Sequence, residues 1–454
     1  MNFWISAERN KMKIQLSEHF TFKKLLLFVY PSVIMMIFTS IYVVIDGLFV
    51  SNYVGKTAFA AINLISPFIM ALSALGFMMG TGGSAIVAKT LGEGKKQKAS
   101  EYFSMLVYIT ALGGVLLSIA GIALTPAVAR LLGADGELLR NCTIYGRLGF
   151  ITLAPFMLQN AFQSFFVAAE KPKLGLAVIV IAGITNIVLD YLFIAVFGWG
   201  IAGAAIATSC GELIGGFFPI FYFSRRKEAI LHLGKTHFDG KVLLKACTNG
   251  SSELMTNLSN SIVGAMYNLQ LMKLAGENGV AAYGTIMYAN FIFAAVFFGY
   301  SIGSAPIVSY HYGAGNHDEL KNLFRKSLTL VSICGILLTI TAQIIASPIA
   351  RIFVGYDKEL FQMTYTGFRL FCVTFLINGF NIFGSSFFTA LNNGLISAVI
   401  SFLRTLVFQL GVVFILPVFF GINGIWLSVA TAELLTLFVT ITFLIRKRQE
   451  YHYA

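Results

Sequence analysis

Asp46 and Asp190 are carboxylates set in otherwise apolar segments, and each has a polar companion one helical turn away. Tyr42 precedes Asp46 by four residues, and Asn186 precedes Asp190 by four. Residues four apart share a helix face, so each acid and its companion point the same way. If the two faces meet, two carboxylates, an amide and a phenol surround one cavity, with the Thr208 hydroxyl as a further oxygen. Hard oxygen donors of this kind suit a small cation such as Na+. Two carboxylates held close in a place of low polarity also make a proton site.

The elements that must position these groups are membrane helices. Residues 31–50, PSVIMMIFTSIYVVIDGLFV, span about 30 Å as a helix, the thickness of a bilayer's hydrocarbon core. Asp46 then stands inside the membrane, where an ionised side chain costs at least roughly 2.5 to 3.5 kcal/mol, so it is read first as a functional group. The whole chain has this character. Of its 454 residues 57% are hydrophobic and 11% charged, and the mean hydropathy is +0.79, whereas soluble domains carry roughly 25% charge. Long apolar runs predict twelve spans, from residues 25–50 to residues 424–445.

A net charge of +12 could suggest nucleic acid, but the basic residues follow topology. Alternate connections gather Arg9 to Lys24, Lys89 to Lys98, Lys171 and Lys173, Arg225 to Lys245, Lys321 to Lys326 and Arg446 to Arg448. The intervening connections hold only Lys56, Arg130, Arg140, Lys273, Arg351 and Lys358. The positive-inside rule puts both termini in the cytoplasm, which requires an even number of spans. Arg147, Arg369 and Arg404 fall within spans and are expected to snorkel to an interface. Residues 2–22 are expected to lie at the membrane surface. The five cysteines are odd in number and lack CxxC spacing, which argues against a disulfide framework.

The chain repeats itself at an offset of 221 residues. Gly82, Gly92 and Gly94 match Gly303, Gly313 and Gly315; Gly200 and Gly203 match Gly421 and Gly424; Glu212 matches Glu433. Six spans per repeat is an even number, so both halves cross with the same orientation, related by an axis along the membrane normal. The expected layout is an N-terminal segment 1–24, a first lobe 25–223, a linker 224–241, a second lobe 242–446 and a tail 447–454. The fold class is all-α integral membrane, twelve transmembrane helices in two six-helix lobes. Substrate sites in such proteins lie between the halves.

Each candidate has a plainer reading. Asn186, Thr208 and Tyr42 serve equally as hydrogen-bonding glue between helices. Glu253 is a second acidic candidate or a structural acid near the start of the seventh span. The matching positions of Glu212 and Glu433 argue for a shared architectural task. Pro31 starts a helix or, by freeing a carbonyl, hinges one. Enzyme signatures are lacking: the six histidines form no HExxH, and GxxxxGK[ST] does not occur.

The duplicated twelve-span pattern, Pro31, Tyr42 with Asp46, Asn186 with Asp190, and the run GWGIAGAAIATS through Thr208 together resemble MATE transporters (multidrug and toxic compound extrusion), over about residues 20–446. The resemblance implies a V-shaped pair of lobes that export small organic, often cationic, drugs by antiport against Na+ or H+. Carried onto this sequence, the coupling site is Asp46, Asn186, Asp190 and Thr208 with Tyr42 beside it, and Pro31 is the bending point. Glu253 resembles an acid that some members place in the seventh helix. Asn378 and Asn381 stand in the tenth helix where those members have a carboxylate. No cofactor beyond the coupling ion and no nucleic-acid partner is implied. The protein is expected to act as a monomer in the cell (plasma or inner) membrane, with both termini cytoplasmic. A flippase for lipid-linked oligosaccharide, a task related folds also perform, is the alternative.

Overall fold

The computed structural model describes residues 14–226 and 229–454, which are helical apart from short connections and contain no strand. The first lobe comprises α1 (Phe22–Phe49), α2 (Lys56–Gly92), α3 (Lys96–Leu131), α4 (Gly136–Ile151 continued by Leu153–Ala168), α5 (Pro172–Asp190) and α6 (Gly200–Arg225). One helical run, Gly240–Gly313, is broken at Gly276 (φ 61°, ψ −149°) into α7 (240–275) and α8 (277–313). Then follow α9 (His317–Val354), α10 (Lys358–Phe371 continued by Asn378–Ala390), α11 (Gly394–Phe402 continued by Gln409–Phe420) and α12 (Ile422–Tyr451). Counting the two arms of the broken run separately, and α4 with its 56° bend as one span, gives twelve crossings among the described residues.

Capping follows local sequence. Thr21 caps α1 by accepting from Lys24 N, and Asp239 caps α7 by accepting from Lys241 N and Val242 N at 3.0 and 3.2 Å. Such side chains satisfy the donors a helix start leaves unpaired. The mid-membrane faces of α3 and α9 carry Leu112, Leu116, Ile119, Ile336 and Ile340 outward, as expected of lipid-facing surface.

The internal repeat is geometric as well as textual. A Cβ added to Gly92 of α2 would strike the Tyr310 carbonyl of α8, and one added to Gly313 of α8 would strike the Lys89 carbonyl of α2. Both pairings exchange under the same 221-residue shift. Gly82 of α2 likewise abuts Ala246 and Gly250 of α7, while Gly303 of α8 abuts Val29 of α1. The lobes therefore meet through a pseudo-two-fold seam of backbone-to-backbone contacts, toward the face that carries residues 14–21 and the C-terminal residues.

Residues 14–21 do not lie on the membrane surface. Leu16 and Phe20, four apart, are buried, and their backbone groups are satisfied by both lobes. Leu16 N donates to Glu170 of the α4–α5 connection at 2.8 Å, and Phe20 N donates to Glu319 of α9 at 2.9 Å. Asn322 and Lys326 of α9 reach the Phe20 carbonyl, and His19 Nδ1 lies 2.6 Å from Glu319 Oε2. Two apolar anchors and saturated polar groups favour this strap over an amphipathic surface helix; residues 2–13 of that expectation lie outside the described residues. Glu319→Ala would leave the Phe20 N–H buried without an acceptor, costing about 1–3 kcal/mol. Amide exchange at residues 16–20 is then expected to quicken roughly 5- to 150-fold. Unchanged exchange would mean that apolar burial alone holds the strap.

The connection between the lobes is also packed rather than free. Leu231 and Leu233 are buried, Ser104 accepts from Gly234 N at 3.1 Å, and Thr236 donates to the Glu101 carbonyl at 2.7 Å. It runs along the start of α3. The C-terminal residues dock too, with Tyr453 buried against Phe324 and Phe387.

Candidate cation site in the first lobe

Asp46 stands on α1 four residues before a π-helical turn, Val50–Val54. Asp190 ends the regular part of α5, directly before another, Tyr191–Val196. A π turn widens the helix by one residue and recurs at functional sites. Nothing in the apolar sequence around either acid signals it.

Small residues bring the helices together. Gly183 of α5 lets α1 approach so closely that an added Cβ would lie 3.2 Å from the Tyr42 ring. Gly211 of α6 would place a Cβ 2.9 Å from the Ala182 carbonyl and 3.4 Å from Asn186 Cβ. With α1, α5 and α6 thus converged, the Asp46 and Asp190 carboxyls come within hydrogen-bonding range of each other. Asn186 Nδ2 donates to Thr208 Oγ1 at 3.4 Å, a long bond. Tyr42 sits beside the pair, with Gln159 of α4 near its hydroxyl.

A third carboxylate joins them. Glu212 of α6 accepts from Thr152 Oγ1 at 2.5 Å, at the bend of α4, and lies within electrostatic reach of Asp46. The equal spacing of Glu212 and Glu433 points to a shared role, but their partners differ. Tyr145 lies within electrostatic reach of all three acids. Gln159, Thr152 and Tyr145 carry no spacing signal that would have paired them with Asp46; the bend at Thr152 is what aims them.

Among the described residues no lysine or arginine forms an ion pair with Asp46, Asp190 or Glu212. Asp46 Oδ1, both Asp190 oxygens and Asn186 Oδ1 are buried without a donor. Two ionised carboxylates offer each other only acceptors, so a bond between them takes a proton. The arrangement therefore suits one small positive species, a proton shared by the two acids or a cation coordinated by their oxygens with Asn186 Oδ1.

Glu253 of α7 is half-buried and belongs to the other lobe, where its charged neighbour is Arg404 of α11. Pro31 is buried within α1, which runs unbroken through it. Arg404 does not snorkel: its side chain is 11% exposed and its Nε lies 2.8 Å from Glu433 Oε1 of α12. Glu433, deep in the lobe, offers the guanidinium a better partner than the interface does. Asn381 of α10 donates to Glu433 Oε2 at 2.7 Å, so a carboxylate meets the tenth helix from the twelfth. Arg369, by contrast, is exposed and bonds Gln343.

A cavity of about 380 Å³ opens at the seam on the termini face, lined by Lys89, Lys95, Lys98, Lys241 and Lys245. Its sign is opposite to that of the acid cluster, and it would repel an organic cation.

A duplicated twelve-helix bundle with an acid cluster among the helices of one half is the architecture of a membrane transporter. Comparison with known proteins narrows the class. The MatE family profile matches residues 31–192 and 254–415, one match per half. The chain belongs to this family of multidrug efflux transporters, which are not enzymes. Relatives named multidrug export protein MepA are 22% identical in Staphylococcus haemolyticus over 430 residues, and 23% in Staphylococcus saprophyticus over 431. Each alignment covers 94% of both chains. Among solved structures, the fold matches a MATE in complex with MaL6 at a TM-score of 0.92 and 21% identity. It matches an outward-facing multidrug resistance MATE family transporter of the MOP superfamily at 0.91 and 21%. Both matches cover 98% of this chain and 100% of the other. The protein is a multi-pass membrane transporter.

Proposed function

We propose that the protein exports organic, often cationic, compounds across the plasma membrane by alternating access of its two lobes, driven by entry of Na+ or H+ at Asp46 and Asp190. The observation that carries the reading is the facing pair of carboxylates, flanked by Asn186, Thr208 and Tyr42 and, among the described residues, in no ion pair with a lysine or arginine. The names of the MepA relatives support multidrug substrates. The excess of Lys and Arg on the termini face supports a cytoplasmic location for both ends. The protein works as a monomer, with Pro31 as the point about which α1 bends.

One monovalent cation moving down 100 mV releases about 2.3 kcal/mol, which sustains a roughly forty-fold gradient of a neutral compound. Because the cation binds one arrangement of α1 better than the other, its arrival shifts the lobes and the affinity of the cavity between them.

The test is efflux of a fluorescent organic cation from proteoliposomes holding either a Na+ gradient or a pH gradient alone. Export is expected to follow one gradient and ignore the other. Export indifferent to both, with lipid-linked oligosaccharide translocated instead, would replace this reading by the flippase.

A further inference from the structure

The two lobes are built on one plan, yet their charges are arranged differently. Helix ends fix the correspondence: Gly55 and Gly276 both take positive φ (110° and 61°) after α1 and α7, and Gly200 and Gly421 take φ 57° and 56° before α6 and α12. Each pair is separated by the repeat of 221 residues. Counting back nine residues from the first pair sets Asp46 against Tyr267, which is buried and stacked on Tyr283 with ring centroids 5.1 Å apart. Counting back ten from the second pair sets Asp190 against Gly411, and counting on eight sets Thr208 against Val429. The second lobe has thus lost both acids and the hydroxyl.

It keeps two groups, Asn381 in the place of Asn160 and Glu433 in the place of Glu212, and it adds one. The run AVI occurs at 177–179 and again at 398–400, so Arg404 takes the place of Gly183, the residue against which Phe38 and Tyr42 of α1 pack. From there the guanidinium reaches Glu433 Oε1 at 2.8 Å, while Asn381 holds Oε2 at 2.7 Å and in turn accepts from Thr440 at 2.9 Å. Among the described residues the first lobe gathers three carboxylates with no ion-paired lysine or arginine, whereas in the second Glu433 is neutralised by Arg404.

We propose that Arg404 is a tethered cation filling the second lobe's counterpart of the first-lobe acid cavity, and that Glu433 and Asn381 form a latent monovalent-cation site opened only by removing the guanidinium. The oxygens for such a site are present. They are the two of Glu433, that of Asn381, and Asn378 Oδ1 three residues away on the same helix, which is buried without a partner. Among the described residues the other charged group facing the pair is Glu253 of α7. Transport coupling is thereby confined to the first lobe. This last step rests on the reading of Asp46 and Asp190 as the coupling site; the latent site does not.

The test uses purified full-length protein carrying Asp46→Asn and Asp190→Asn, which silences the first-lobe pair whatever its role. On that background, Arg404→Met is compared with Arg404→Lys and with Arg404→Met/Glu433→Gln. Melting temperature is followed as Na+ replaces choline at fixed ionic strength and, separately, as pH is lowered without Na+. Arg404→Met is expected to gain several degrees, saturably, from Na+ or from protons, with a protonated-carboxyl infrared band in the proton case. Both signals should be missing when Arg404 is Lys and when Glu433 is also Gln. Equal responses of Arg404→Met and its Glu433→Gln companion would overturn the proposal and leave Arg404 a structural brace. If Arg404→Met folds only with added guanidinium, and neither Na+ nor low pH substitutes, the cleft accepts no small cation and the proposal fails equally.

Discussion

Asp190→Asn is expected to abolish ion-driven export while leaving the protein at least as stable as the parent. Both Asp190 oxygens are buried without a hydrogen-bond donor, and a second carboxylate, Asp46, stands beside them. An asparagine of the same shape supplies the missing donor to Asp46. The substitution thus removes one of two negative charges and repairs a hydrogen bond at once, whereas most buried-polar changes destabilise by leaving a group unpaired. Packing of α5 against α1 and α6 should survive, because Gly183, Asn186 and Gly211 set it. The site, however, no longer holds two acids that a proton or cation must reconcile. Export of the fluorescent cation should fall to the leak of protein-free liposomes. Melting temperature and efflux measured on one preparation check both halves. Loss of export with loss of stability would make Asp190 a structural residue, and retained export would remove the pair from the mechanism.

Much of the architecture was legible because bilayers impose coarse rules. Twenty apolar residues span, basic residues collect on one side, and a duplicated chain betrays itself by a constant offset in its glycines. The pair at Asp46 and Asp190 was legible for the same reason, since a carboxylate in hydrocarbon is costly enough to demand a use. What stayed hidden depends on three-dimensional aim. Thr152 and Gln159 reach the site only because α4 bends by 56° at Thr152, and both acids adjoin π turns that hydropathy does not encode. Arg404 looked like a residue bound for the interface because the pattern shows its depth but not Glu433 across the lobe. Residues 14–21 looked amphipathic, and only the acceptors waiting on Glu170 and Glu319 explain why they fold inward.

Gly82→Ala is expected to hold the lobes apart on the termini face. One methyl group there would stand 2.6 Å from Gly250 N of α7 and closer still to the Ala246 carbonyl. These are backbone atoms of a helix interior and cannot rotate away as a side chain could. Overpacking of this kind costs about 1–3 kcal/mol, and the cost falls only on the arrangement in which α2 and α7 touch. The balance between closed and open seams should therefore move roughly 5- to 150-fold toward open, with folding of each lobe unaffected. Spin labels at Lys95 and Lys245, exposed on opposite lobes beside the seam, should report a longer and broader distance distribution. Gly113→Ala is the control: its added Cβ meets nothing within 4 Å, and it should change neither distance nor export. Because the seam is two-fold, Gly303→Ala, which presses on Val29 of α1 instead, should act in the same direction. It should act more weakly, since part of its obstacle is the movable Val29 side chain. Equal distances in Gly82→Ala and parent would show that the seam yields and is no gate.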